Sequence, residues 1–278
     1  MISRGRVDFP PNAAAIREYE AMQGQRQVTP KPTRLKGAYG FDAPYLMPIP
    51  AFLIVVNILD AVISRSVWPL VPAAIIAACM GCGLHTSRRG KFLAWAELLD
   101  ELHLRGDERV LDLGCGRGAL LILAAQRLTT GRAVGVDLWS RSDQSGNAAQ
   151  ATQRNAVAEG VADRVELHTG DMTNLPFEDS SFDVVLSNVA IHNVRGQAGR
   201  RKAIVEAVRV LRPGGRLRIA DIWATRIYEA HLATLGMTGI TRRNLGWRMW
   251  WSGPWLPTHL VTANRVRIQN SLTSPSTN

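Results

Sequence analysis

The segment Arg109-Val110-Leu111-Asp112-Leu113-Gly114-Cys115-Gly116-Arg117-Gly118 limits the possible folds of this chain more than any other. Arg109 to Leu113 reads as a buried parallel strand, three glycines follow within five positions, and Ala119 to Leu128 reads as a helix. A strand that turns through glycines into a helix start forms a cradle where main chain can approach a ligand closely. The dinucleotide fingerprint is G-x-G-x-x-G, and here the third glycine comes one residue early. Asp112 stands just before the first glycine, poorly placed beside a pyrophosphate, and suits a ligand with an ammonium group and no phosphate.

Downstream the pattern repeats. Ala133 to Asp137 reads as a second strand ending in an acid about 20 residues past the glycine turn, placed to accept from both hydroxyls of a ribose. A third strand near Val165 to His168 leads into Gly170-Asp171-Met172, and a fourth covers Phe182 to Asn188. A helix around Gln197 to Leu211 stops at Arg212-Pro213-Gly214-Gly215, and Arg216 to Ile222 reads as the fifth strand. Gly239 to Asn244 and His259 to Ala263 are the last two strand candidates. Strands separated by helices, with polar groups at the strand carboxyl ends, predict an α/β, doubly wound sheet with its ligand in the crevice there.

The segments VLDLGCGRG, VGVDL, GDMTNLPFEDSSFDVVLSN and RVLRPGGRLRIAD together resemble the successive motifs of class I S-adenosylmethionine-dependent methyltransferases. Within that class they are most similar to methyltransferase type 11, the branch containing the quinone-biosynthesis methyltransferases. The resemblance covers about residues 91 to 265. It implies a seven-stranded Rossmann-like methyltransferase sheet and S-adenosyl-L-methionine as cofactor. It also implies roles: Asp112 with the main chain of Gly114, Cys115, Gly116 and Gly118 at the amino-acid end of the cofactor, and Asp137 at the ribose hydroxyls. Leu138 and Met172 would lie against the adenine, Asp171 would accept from its amino group, and Asn188 would line the methyl-transfer site. A turn residue is the alternative for Asp171.

His192, four residues past Asn188, is the candidate general base, since its unperturbed pKa near 6.5 suits removing a proton from an acceptor. The alternative is a loop histidine that shapes the pocket. No metal is expected. Cys79-Met80-Gly81-Cys82 has C-x-x-C spacing without a second ligand pair. Arg200-Arg201-Lys202 reads as a solvated helix face, and the loop Trp139 to Gly146 is placed to overhang the cofactor.

Upstream lies a different composition. Ala43 to Leu59 and Val67 to Thr86 are two apolar runs without formal charge, joined across Asp60 and Ser64-Arg65-Ser66. At about 20 residues each they match a ~30 Å hydrocarbon core and predict a two-helix hairpin. Lys31, Arg34, Lys36, Arg88, Arg89 and Lys91 flank the pair, so the positive-inside rule puts both ends in the cytoplasm. A soluble cap of two buried helices is the competing reading.

The expected organisation is a polar cytoplasmic arm over 1–42 with a short helix near Asn12 to Met22, and a transmembrane hairpin over 43–87. The methyltransferase domain follows over 88–268, with a disordered tail over 269–278. The chain carries 33 Lys plus Arg against 23 Asp plus Glu, a net +10. Of that, residues 1–42 hold +3, 88–224 hold +2 and 225–278 hold +5. Charge gathered at the two ends fits an anionic cytoplasmic leaflet better than a nucleic-acid track. Trp247 to Trp255, aromatic with arginine, reads as a bilayer interface or the wall of an apolar-substrate pocket.

The expectation is therefore a multi-pass cell-membrane methyltransferase acting on a lipophilic small molecule, with no nucleic-acid partner. A methyltransferase of a soluble metabolite and a membrane-attached, non-catalytic cofactor-binding module are the alternatives.

Overall fold

A computed structural model describes residues 35–42, 47–140 and 143–267. The expected helix near Asn12 to Met22, the residues Lys31 and Arg34, and the tail from Gln269 lie outside the described residues.

The sheet has seven strands: β1 Arg109–Leu113, β2 Arg132–Asp137, β3 Val165–Thr169, β4 Phe182–Asn188, β5 Leu211–Asp221, β6 Thr238–Asn244 and β7 His259–Asn264. Their order is β3-β2-β1-β4-β5-β7-β6. The first five strands are parallel, and β7 runs antiparallel to both β5 and β6. The order reverses at β1, where β2 and β4 flank it, and such a switch point opens a crevice at the strand carboxyl ends. β1 is apolar on both sides because both faces are covered; Val110, Leu111 and Leu113 are fully buried.

Helices α3 Lys91–Glu101, α4 Ala119–Ala125 and α5 Ala149–Ala158, with α6 Gly196–Val210 and α7 Thr225–Thr234, fill the gaps. Trp95 and Leu99 of α3 pack with Leu121 and Ile122 of α4 in one core. Ile204 of α6 and Tyr228 and Leu232 of α7 pack in the other. Two boundaries of this layer differ from expectation by more than one residue. α4 stops at Ala125 rather than Leu128. β5 starts at Leu211 rather than Arg216, because Phe182 pairs with Leu211 and a register shift absorbs the Pro-Gly-Gly as a bulge, with Gly214 at φ +80°.

Two more helices precede this layer, α1 Pro48–Ile63 and α2 Leu70–His85, joined by a turn with Arg65 at φ 52°. Prolines at the start of α1 harm it least, having no intrahelical hydrogen bond to lose. The pair departs from two equal spans. α1 has 16 residues, ~24 Å at ~1.5 Å per residue. α2 passes through a π turn, Thr86–Gly90, into α3, giving one 32-residue helix from Leu70 to Glu101. That helix is long and apolar enough to cross a membrane, whereas α1 falls in the shorter class. A cap of two buried helices is not what forms: α1 has no buried residue, and α2 buries only Ala73 and Gly83.

The direction of the long helix follows from topology. α3 must deliver the chain to the amino end of β1, so it starts at the carboxyl edge of the sheet, and α2 projects beyond that edge. Its base is seated on the β6–β7 loop: Thr86 Oγ1 donates to the carbonyls of Arg248 (3.2 Å) and Trp250 (2.6 Å). His85 stacks on Trp247 at 4.9 Å, and a Cβ at Gly90 would overlap the Arg248 carbonyl.

Residues 35–42 lie on the domain as a strap. The amides of Lys36 and Gly37 donate to Glu159 (2.6 and 2.8 Å), and that of Ala38 to Asn155 (2.8 Å). Tyr39 is buried edge-on to Phe92 at 5.0 Å. Asp42 then accepts from Lys91 Nζ (2.7 Å) and Ser87 Oγ (2.8 Å). Lys91, read from sequence as a flanking surface charge, is 2% exposed and ion-paired, so Arg88 and Arg89 carry the downstream signal instead.

Candidate active site

The glycine turn is left-handed throughout, with Gly114 at φ 72°, Gly116 at 51° and Gly118 at 82°, a region other residues rarely adopt. At all three the space is also closed, a Cβ on Gly118 standing 2.7 Å from Thr152 Cγ2. A Cβ on Gly114 would overlap that of Ala190 and come within 3.3 Å of Met172 Cε; one on Gly116 would stand 2.6 Å from Gln144 Oε1. The same packing brings Met172 and Ala190 to the end of β1.

Asp112, 1% exposed, lies beneath this turn, accepting from the amide of Leu121. Its Oδ2 is buried without a partner. Burial, and secondarily the charge of Asp137, raise its pKa from 3.8 to about 8. Cys115 is buried, and desolvation followed by Asp112 and Asp137 pushes its thiol up, away from thiolate chemistry. Asp137, ending β2, accepts from the amides of Gly116 (2.8 Å) and Trp139 (2.6 Å) and from Asn147 Nδ2 (3.2 Å). Leu138 beside it is 65% exposed. Asp171 is exposed and accepts from the Thr173 amide at 2.8 Å, a turn closed by its own side chain. The loop after β2 leans on the glycine turn, Gln144 Oε1 accepting from the Arg117 amide (2.8 Å) while Gln144 Nε2 donates to Asp42 (2.9 Å).

At the end of β4, Asn188 Oδ1 accepts from the indole of Trp95 at 2.8 Å. Val189 follows at φ 52°, a strained conformation for a β-branched residue, of the kind that clusters at functional sites. His192 sits on the next short turn. Its Nδ1 is 2.6 Å from Asp221 Oδ1, and its amide donates to Asp221 Oδ2 at 3.0 Å. Asp221, fully buried at the end of β5, also accepts from the Ile222 amide (2.8 Å) and the Tyr228 hydroxyl (3.1 Å). Burial, then Asp221, push the Tyr228 hydroxyl up, so it remains a donor. With Nδ1 held by a carboxylate, His192 Nε2 is the nitrogen left for another group. Trp223, 62% exposed, stands edge-on to the His192 ring at 6.0 Å.

The sequence-read residues therefore gather at one edge: Asp112, Gly114, Cys115, Gly116, Gly118, Asp137, Met172, Asn188 and His192 on connected turns, with Leu138 and Asp171 exposed at the rim. Sequence reading missed Trp95, Asp221, Tyr228 and Trp223. Asp221 had a usable signal, as an acid closing a strand at the sheet's carboxyl edge. Among the described residues no group of three or more His, Cys, Asp or Glu is placed to hold a metal ion.

The strand order, with β7 antiparallel beside β5, is the Rossmann-like methyltransferase fold, and residues 111–219 match the family model described as a methyltransferase domain. Two curated relatives show the range. Over 122 residues the chain is 34% identical to a demethylmenaquinone methyltransferase of Lactiplantibacillus plantarum, covering 44% of this chain and 48% of the relative. Over 120 residues it is 38% identical to the 27-O-demethylrifamycin SV methyltransferase of Amycolatopsis mediterranei, covering 43% and 40%. The matches thus span less than half of either relative. Among solved structures, the [4+2]-cyclase SpnF shares the fold with a TM-score of 0.50 and 19% identity, over 62% of this chain and 80% of that one.

Proposed function

We propose that this chain transfers the methyl group of S-adenosylmethionine to an apolar small molecule taken from a membrane. The orphaned oxygen of Asp112 beneath a left-handed glycine cradle carries the first half of this reading. A buried carboxylate oxygen without a donor fits the ammonium of an amino acid, and a cradle without Cβ atoms admits its backbone-like end. Asp137 at the neighbouring strand end fits the ribose hydroxyls, and Met172 beside Gly114 fits the adenine. The cofactor, when bound, supplies an electrophilic methyl on a sulfonium.

The chain's own residues do the rest by position. Trp95 fixes Asn188, and Asp221 fixes His192 and balances the positive charge that His192 gains on taking the acceptor's proton at Nε2. Exposed Trp223 beside His192 fits a flat apolar acceptor. The hairpin supports the second half. Its apolar side chains are bare, with Phe52, Val62, Ile63, Val67 and Trp68 each more than 60% exposed, and it projects from the edge that holds the site. Insertion with Arg88 and Arg89 at the cytoplasmic surface places the mouth of the site next to the bilayer. The demethylmenaquinone relative, by its name, acts on a molecule of this kind.

Membranes from cells making the full chain, incubated with methyl-labelled cofactor, test the proposal. Label should enter the total lipid extract. Label in the polar-metabolite extract alone would overturn the lipophilic acceptor, and absence of cofactor binding by calorimetry would leave only a scaffold.

A further inference from the structure

The edge of the domain that faces the hairpin carries a second feature that methyl transfer does not use. A cleft of about 440 Å³ opens between the start of α6 and the length of α7, lined by Gln197 and Arg201 on one side and by Arg226 at the start and His231 and Thr234 at the end of α7 on the other. Because both helices follow parallel strands, their N-terminal turns lie at the carboxyl edge, level with the site and with the base of α2. Among the described residues neither Arg201 nor Arg226 has a carboxylate within ion-pair distance. His231 Nε2 is buried without a partner. The surroundings add positive charge: His259, opposite Asp221 in the β5–β7 ladder at the same edge, is held below its ordinary pKa by burial and then by Arg242 and Arg226. The same edge of the sheet carries two exposed tryptophans of the β6–β7 loop, Trp247 and Trp255, each at least 60% exposed.

Unpaired arginines cost little only where water or an anion solvates them, and bare indoles are stable where one end meets hydrocarbon and the other meets headgroups. We propose that this rim, the Arg201–Arg226 cleft together with Trp247 and Trp255, docks on the headgroups of an anionic phospholipid surface. The phosphates sit in the cleft and the indoles enter the interface. The docking rests on the membrane reading above but is separate from the hairpin: it fixes the tilt of the domain and holds the mouth of the site on the bilayer.

Hydrogen exchange of the full chain in lipid nanodiscs tests it, comparing phosphatidylcholine alone with an equal mixture of phosphatidylcholine and phosphatidylglycerol. In the mixed discs, the turn at residues 222–226 and the loop at 250–257 should exchange roughly 25-fold more slowly, from about fivefold for each of the two arginines. The slowing should vanish at high salt and in the Arg201→Gln/Arg226→Gln variant, while protection of residues 49–84 and cofactor binding stay unchanged. Equal exchange in both discs, or slowing that survives the double substitution, overturns the docking while leaving the hairpin in place. A chain whose residues 49–84 stay unprotected in both discs overturns the membrane reading, and the docking with it.

Discussion

Replacing Asp112 by asparagine should make the cofactor-free protein more stable and the cofactor complex weaker. The carboxyl lies in the core at 1% exposure, with its pKa raised from 3.8 to about 8 by burial and then by Asp137. A pKa raised in the folded state means that the group favours folding most below pH 3.8. That contribution is lost steadily as pH rises towards about 8, and is constant above it. At ~1.4 kcal/mol per pH unit the whole interval sets a ceiling of ~6 kcal/mol, of which ~4 is lost by pH 7. Asparagine keeps the acceptor for the Leu121 amide and removes the charge. It leaves an unpaired N–H where Oδ2 was, which returns ~1–3 kcal/mol.

The net expectation is a gain of ~1–4 kcal/mol at pH 8, shrinking to nothing or reversing near pH 5, read by thermal unfolding of the detergent-solubilised chain. The cofactor's ammonium favours the ionised carboxylate, so binding to the wild type should release a proton. Its affinity should tighten as pH rises to about 8, by at most tenfold per unit. In the variant, affinity should drop ~10- to 100-fold and lose this pH dependence. A variant that is no more stable at pH 8 and binds the cofactor as the wild type does would refute the placement of Asp112 beneath the ligand.

His192→Ala should lower turnover on the acceptor ~10²- to 10⁴-fold without changing cofactor affinity, measured by label transfer and calorimetry. Asp221→Asn should lower kcat on the acceptor more than it weakens cofactor binding, because His192 loses the carboxylate that orients its ring; an equal loss in both would make Asp221 merely structural. Trp95→Phe removes the 2.8 Å bond to Asn188 together with part of a fully buried indole, so it should cost ~2–4 kcal/mol in stability and a larger share of kcat than of cofactor affinity. Gly90→Ala would drive a Cβ into the Arg248 carbonyl and should destabilise the chain by ~2 kcal/mol or more, read as a lowered unfolding midpoint.

The fold was legible where local pattern and tertiary role coincide. β1, β2 and β4 are apolar runs closed by a glycine turn or a polar residue; β1 and β4 form over the ranges read from sequence, and β2 starts one residue earlier. β5 was harder, because Pro213-Gly214-Gly215 is a turn signal locally and a bulge once β4 is beside it. The continuity of α2 with α3 was hidden for a related reason. Arg88 and Arg89 mark a change of composition, but exposed arginines do not interrupt helical hydrogen bonding, and the backbone runs through them. At the site, residues on adjacent turns were readable, whereas partners across the sheet were not. His192 and Asp221 are 29 residues apart, and Trp95 and Asn188 are 93 apart. Only the order of strands and the path of α3 bring them together.

The strap and the long helix together decide how this chain can be cut. Asp42, before the hairpin, neutralises Lys91, after it, in a place where a lone ammonium would be buried. Trimming the chain from its N-terminus to shed the apolar residues would therefore also strip the strap from α5, uncover Tyr39's place in the core and leave Lys91 without its counter-ion. The hairpin is an excursion within one folded unit rather than an anchor attached to its end. A form without the apolar hairpin is better sought by splicing a short polar loop between Asp42 and the last turns of α2, so that both ends of the excursion stay where they are pinned.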